Sequence, residues 1–149
     1  MGENKEKEAF PVPEKPTVKR VAAYARVSTG KDAMLHSRSA QDSYYGSLIQ
    51  KHPGWVCAGV YSDEAQSGVK ANRPGFQKML SDCRTGKIDM IITKSISRFT
   101  RNSAVFFETV RELQELGIDV FFEDENVHTL SGKEGLLFAL ISSIHMRER

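Results

Sequence analysis

Short apolar runs alternate with amphipathic stretches along most of this chain. VKRVAAYARVS (18–28) is rich in β-branched and small apolar residues and ends on a polar turn, the pattern of a buried strand. Ser39 to Lys51 reads as a helix that Pro53 and Gly54 stop. WVCAGVYS (55–62) is a second strand, followed by a polar loop from Asp63 to Asn72. Pro74 suits a first helical turn and opens a helix ending near Gly86. IDMIITK (88–94) is a third strand of almost unbroken hydrophobicity. After SISRFTRNS comes a helix with an apolar face of Phe106, Val110, Leu113 and Leu116, capped by Gly117. IDVFFED (118–124) is a fourth strand, and GKEGLLFALISSIHMRER begins a last helix.

Strand followed by helix, four times over, predicts an α/β fold: a mainly parallel open sheet with helices on both faces. There is no internal repeat. The first seventeen residues, mostly charge and proline, predict a mobile arm, and residues 18–149 a single domain. The chain stops at Arg149 with no Gly, Asn or Pro to end that last helix, so the expectation is a domain cut from a larger protein.

Composition narrows the function only a little. A formal net charge of +2 does not announce a nucleic-acid binder, so any basic function must rest on local clustering. Between residues 84 and 101 stand Arg84, Lys87, Lys94, Arg98 and Arg101, with Asp89 the only acid. Cys57 and Cys83 lack metal-site spacing and read as buried thiols of a cytoplasmic protein. No apolar run approaches the ~20 residues that span a bilayer.

Ligands of such sheets bind at the carboxyl ends of the strands. Here those ends are the segment after Val27, the loop after Tyr61 and the loop after Thr93. Arg26 and Ser28, two apart on a strand, point the same way and put a guanidinium beside a hydroxyl. Spacing alone favours a turn serine next to a surface arginine. If the segment after the third strand turns helical near Ser97, Arg98 and Arg101 share a helical face at i and i+3, near a helix amino end that favours anions. Arg73 can reach the same pocket. Each arginine alone reads best as part of a solvated face; arginines on three loops at the binding edge shift the balance toward a phosphate site. Several guanidinium groups around one serine suit phosphoryl transfer, where positioning and charge stabilisation supply most of the effect. There is no Walker loop and no convincing metal-ligand spacing, which favours a bound phosphodiester over ATP chemistry.

Other features carry plainer readings. Tyr24, inside an apolar strand, is expected in the core rather than as a nucleophile, and Tyr44 and Tyr45 in helix packing. His128 and His145 lack partner ligands, the acidic run Glu123, Asp124 and Glu125 reads as solvated loop, and Trp55 anchors the start of the second strand.

YARVSTG, the DEAQSG segment followed by RPGF, and SISRFTRN together resemble the three signature blocks of the serine recombinase catalytic domain, the resolvase and invertase family. The blocks occur in the family's order and the resemblance covers nearly everything from Val18 onward. It implies a resolvase-like fold and a nucleophile at Ser28 that attacks a DNA phosphodiester, forms a 5'-phosphoserine link and leaves a free 3'-hydroxyl. It places Arg26, Arg73, Arg98 and Arg101 at the family's catalytic arginine positions and Gln41 at a glutamine that helps arrange the site; Lys94 and Ser97 are further DNA-binding or site-organising candidates. It implies cleavage of specific DNA sites by a synaptic homotetramer assembled from homodimers, without ATP, metal or other cofactor. Resolvases and invertases commonly carry aspartate where Ser97 stands, so that acid's role is not carried over. Phe99, Thr100, Asn102 and the long stretch between Ser28 and Gln41 resemble the large serine recombinases of phage integrases and mobile-element transposases, in which further DNA-binding domains follow. Glu148 and Arg149 match the family's Glu-Arg pair on the long helix. The alternatives are a DNA-binding or assembly module that keeps the fold without cleaving, and a phosphatase-like hydrolase acting through Ser28.

Overall fold

A computed structural model describes residues 18–27, 37–64, 73–100 and 102–130. The expected arm over residues 1–17, the last helix, Ser28 and Arg101 lie outside them.

Strand β1 (Lys19–Val27) leads to helix α1 (Arg38–Gln50), β2 (Trp55–Glu64), α2 (Pro74–Arg84), β3 (Met90–Thr93), the single turn α3 (Ile96–Phe99), α4 (Ser103–Glu115), β4 (Asp119–Phe122) and the short β5 (Val127–His128). The sheet order is β2-β1-β3-β4-β5, parallel except for β5 against β4.

The two-residue period of side chains along β1 decides the layers. Val21, Ala23, Ala25 and Val27 pack with Tyr45 and Ile49 of α1 on one face. Ala22 and Tyr24 pack on the other with Phe76, Met79 and Leu80 of α2, Phe99 of α3 and Phe106, Val110 and Leu113 of α4. Both faces of β1 and β3 are covered, and that is why their sequences are nearly continuous in apolar residues.

The elements depart from the sequence reading in five places. Strand β2 runs on through Asp63 and Glu64, residues assigned above to loop, because parallel pairing with Arg26 and Val27 of β1 continues there. The segment after β3 is two helices: α3 ends at Thr100, whose φ of −166° and ψ of 148° are extended, and Asn102 caps α4 by accepting from Val105 N at 3.0 Å. Arg98 therefore sits on a helix that ends at Phe99, and its expected i+3 partner, Arg101, lies outside the described residues. In α4 the buried stripe takes Thr109 and leaves Leu116 44% exposed, since Leu116 falls at the cap. Tyr44 projects outward on α1 while Tyr45 packs. Strand β5 is too short to leave a periodic signal; a turn with Asn126 at φ 56° brings it back onto β4. Trp55 does open β2, with its ring stacked on His52 at 3.9 Å.

The thiols differ in a way that sequence spacing could not reveal. Cys57 is exposed on the sheet-edge strand β2, whereas Cys83 is buried in the α2 core, where burial pushes its pKa up to about 12. A maleimide is therefore expected to label Cys57 within minutes in native buffer and Cys83 only on unfolding; equal labelling of both by mass spectrometry would contradict this packing.

One surface pair gives a pH signature. Arg20 donates from Nε and Nη2 to Asp89 at 3.0 and 2.9 Å and from its backbone N at 2.8 Å, tying β1 to the start of β3. The side-chain hydrogen bonds from Arg20, helped by its charge, hold the Asp89 carboxyl below its ordinary value. A depressed folded-state pKa means stability present above the ordinary aspartate pKa of about 4 and lost as pH falls through the lowered value. Arg20→Gln should flatten that part of the acid limb in urea titrations; an unchanged limb would show the pair contributes nothing.

Candidate active site

In a parallel sheet the crevice opens where the chain leaves neighbouring strands in opposite directions. Here β1 pairs with β2 on one side and β3 on the other; the chain leaves β1 for α1, and β3 for α3 and α4 on the opposite face. The switch point therefore lies at the carboxyl ends of β1 and β3, and three of the arginines singled out in the sequence meet there.

Arg26, with the parity of Ala22 and Tyr24, points to the face that carries α3. Its Nε donates to the carbonyl of Arg98 at 3.2 Å and its Nη2 to the carbonyl of Ser97 at 2.6 Å. Arg98 returns the contact, donating from Nη1 to the carbonyl of Arg26. A one-turn helix leaves its terminal carbonyls without helical donors, and arginine forks supply them. Arg73 does the same from the third direction. Its Nη2 donates to the carbonyl of Phe99 and, at 3.2 Å, to the Tyr24 hydroxyl, while its guanidinium lies 3.8 Å from the centroid of the Phe76 ring. Its Nε is buried with no partner among the described residues.

Asp63 sets the approach of Arg73, and sequence reasoning missed it by placing it in a loop. The start of α2 has no side-chain cap of its own, since Arg73 occupies that position and Pro74 follows. Asp63 supplies one from β2, accepting from Gly75 N at 2.7 Å and Phe76 N at 2.9 Å, and from the Tyr24 hydroxyl at 2.7 Å. This contact also explains the glycine of the RPGF segment: a Cβ on Gly75 would sit 2.2 Å from the Ser62 carbonyl oxygen. The signal in the sequence was period two, because Asp63 continues the register of a strand ending in YSDE. Burial is the main cause holding the Tyr24 pKa well above the ordinary phenol value, so Tyr24 acts as a buried donor and not as a phenolate nucleophile.

Of the remaining candidates, Gln41 is 4% exposed on α1. Ser97 is exposed, with its hydroxyl 3.2 Å from that of Ser95. Lys94 follows β3 directly, its Nζ 3.5 Å from Asp124. The acidic run is engaged rather than merely solvated: besides Asp124, Glu125 accepts from the backbone N of Ile96 at 3.2 Å, and half-buried Glu123 has its pKa raised by desolvation. His128 does have a partner, Asp119, at 2.5 Å. Among the described residues no group of three His, Cys, Asp or Glu side chains is placed to hold a metal, and no helix is long and apolar enough to cross a membrane.

The family described as "Resolvase, N terminal domain" matches residues 21–149. Among curated proteins, the chain is 24% identical over 131 residues to the transposon Tn3 resolvase of Escherichia coli, covering 87% of this chain and 64% of that protein. It is 33% identical over 130 residues to the transposon Tn552 resolvase of Staphylococcus aureus, covering 85% and 58%. The chain thus spans less than two-thirds of the length of these relatives. Among solved structures, the N-terminal catalytic domain of TP901-1 integrase superposes with a TM-score of 0.68 at 27% identity, covering 88% of this chain and 97% of that one. A resolvase family site-specific recombinase from Streptococcus pneumoniae gives a TM-score of 0.65 at 26% identity, with 88% of each chain covered.

Proposed function

Given that the chain belongs to the resolvase family, we propose that it is the catalytic domain of a serine site-specific recombinase and that Ser28 is its nucleophile. The observation that carries this reading is the reciprocal exchange between Arg26 and Arg98, which ties the residue two before Ser28 to the helix after β3 at the sheet's switch point.

In the reaction, Ser28 Oγ attacks the phosphorus of a DNA phosphodiester. The P–O3' bond breaks, the 3'-oxygen takes a proton as the serine oxygen loses one, and the strand is left with a 5'-phosphoserine link and a free 3'-hydroxyl. The ester energy is conserved in the new bond, so religation by the reverse step needs neither ATP nor metal. Arginines suit this chemistry because they stay charged at every working pH and their planar forks match the non-bridging oxygens on which charge builds. Arg26, Arg73, Arg98 and Arg101 hold that role, with Gln41, Lys94 and Ser97 organising the site or meeting DNA. The partner is a specific DNA site, engaged by a dimer that pairs into a synaptic tetramer, in the cytoplasm. Residues 1–17 form an arm before a catalytic domain over 18–149, and the likeness to an integrase catalytic domain supports placement in the large serine recombinase branch.

The test is covalent trapping. The intact protein, incubated with a nicked suicide duplex carrying the crossover junction of its own mobile element, should form a DNA adduct that peptide mapping locates on Ser28. An adduct on another residue would overturn the assignment of the nucleophile. No adduct from a synapsed complex would favour an assembly module that retains the fold without cleaving, and turnover of small phosphomonoesters without DNA would favour a hydrolase.

A further inference from the structure

Helix α3 is a single turn, Ile96–Phe99, too short to hold itself by cooperative hydrogen bonding. Yet its carbonyls receive Arg26 and Arg73, and it carries Arg98. Its place in the molecule must come from outside, and two side chains meet its amino end. Ser95, 7% exposed, caps the turn: its hydroxyl accepts at 3.2 Å from the backbone N of Arg98, and its carbonyl accepts from Phe99 N at 3.1 Å. From the opposite direction Glu125, in the turn after β4, accepts from Ile96 N. That turn is itself anchored on the end of β3, through Glu123 N to the Thr93 carbonyl at 2.9 Å, Asp124 N to the Lys94 carbonyl at 2.8 Å and the Lys94–Asp124 ion pair.

We infer that Ser95 and Glu125 are positioning residues for the recombinase reaction, fixing the amino end of α3 so that Arg98 is held at the carboxyl end of β1. Neither touches substrate; both act through the backbone of the turn that bears the arginine. The inference rests on the functional reading above, and it assigns a task to an acidic run that sequence pattern alone leaves as solvated loop.

The experiment separates the two readings by using two measurements on Ser95→Ala, Ser95→Thr, Glu125→Ala and Glu125→Gln. The first is amide exchange of the purified chain, which needs no DNA. The alanine variants should exchange Ile96 to Phe99 at least about fivefold faster, with β1 and β3 unchanged, and the Thr and Gln variants, which keep an acceptor oxygen, should return to the wild-type rate. The second is single-turnover adduct formation by the intact protein on the suicide duplex. Ser95→Ala should slow it about tenfold and Glu125→Ala about threefold at saturating DNA, with DNA affinity unchanged within twofold and rescue by the conservative variants. Exchange unaltered in both alanine variants, or adduct formation at the wild-type rate in both, overturns the inference. So does equal slowing by the alanine and conservative variants. Because Glu125 is exposed, its substitutions cannot fail through the core and they decide the matter if a Ser95 variant does not fold. Were the wild type to form no adduct, the catalytic reading would fall, and the exchange result would still decide whether these residues hold α3.

Discussion

Ser28→Ala is expected to reduce covalent adduct formation on the suicide duplex by at least about a thousandfold while leaving DNA affinity within twofold of wild type. The substitution removes the one oxygen that makes the protein–DNA bond and takes away no charge. Affinity for DNA comes mainly from cations neutralising phosphates, and all of those remain. An arginine substitution in the same site should instead weaken binding and chemistry together, because Arg26, Arg73 and Arg98 also hold protein carbonyls. The readouts are a gel-shifted covalent species and a binding isotherm. An adduct formed by Ser28→Ala at anything near the wild-type rate would remove the foundation of the proposed mechanism.

Phe99→Ala should destabilise the fold by about 3–5 kcal/mol. Phe99 is fully buried, with ring centroids 5.2 Å from Phe76, 5.6 Å from Phe122 and 6.4 Å from both Tyr24 and Phe106, each pair edge to face. It thereby joins β1, α2, α4 and β4 around the carboxyl end of α3. Truncation leaves a cavity that four separate elements would have to close, so relaxation should recover little of the loss. Phe99→Leu, which keeps most of the volume, should cost less than half as much. Urea unfolding of the two variants tests this, and a loss under about 1 kcal/mol for the alanine variant would show that the aromatic cluster does not bear on α3. The substitution should also depress DNA cleavage beyond its effect on the folded fraction, since the Phe99 carbonyl receives Arg73.

Phe99 explains why SISRFTRN has an apolar residue between two arginines. The residue is the plug, and the arginines flank it. The sequence alone shows that Phe99 is apolar and Arg98 cationic, and the joint pattern of three motif blocks points to recombinase chemistry. It does not show that helix ends at Thr100, because Ile96 to Glu115 contains no proline or glycine to mark a break. The break falls where Thr100 turns extended and Asn102 caps α4, and a cap side chain competes with helical hydrogen bonding only when the chain around it is already placed.

What the sequence by itself determined are the properties carried by neighbours along the chain. The near-continuous apolar run in VAAYARV gives a strand buried on both faces; the spacing of Phe106, Val110 and Leu113 gives the inner face of α4; Pro74 marks the start of α2. Tertiary structure alone decided the order β2-β1-β3-β4-β5, the addition of β5, the opposite environments of Cys57 and Cys83, and the partners of the site. Arg26 meets Arg98 across 72 positions, Tyr24 meets Asp63 across 39 and Ile96 meets Glu125 across 29. Local pattern reports whether a side chain is apolar, charged or able to turn the chain. Which donor meets which acceptor depends on how the chain crosses from strand to strand, and that is settled only when the two apolar faces of the sheet are covered together.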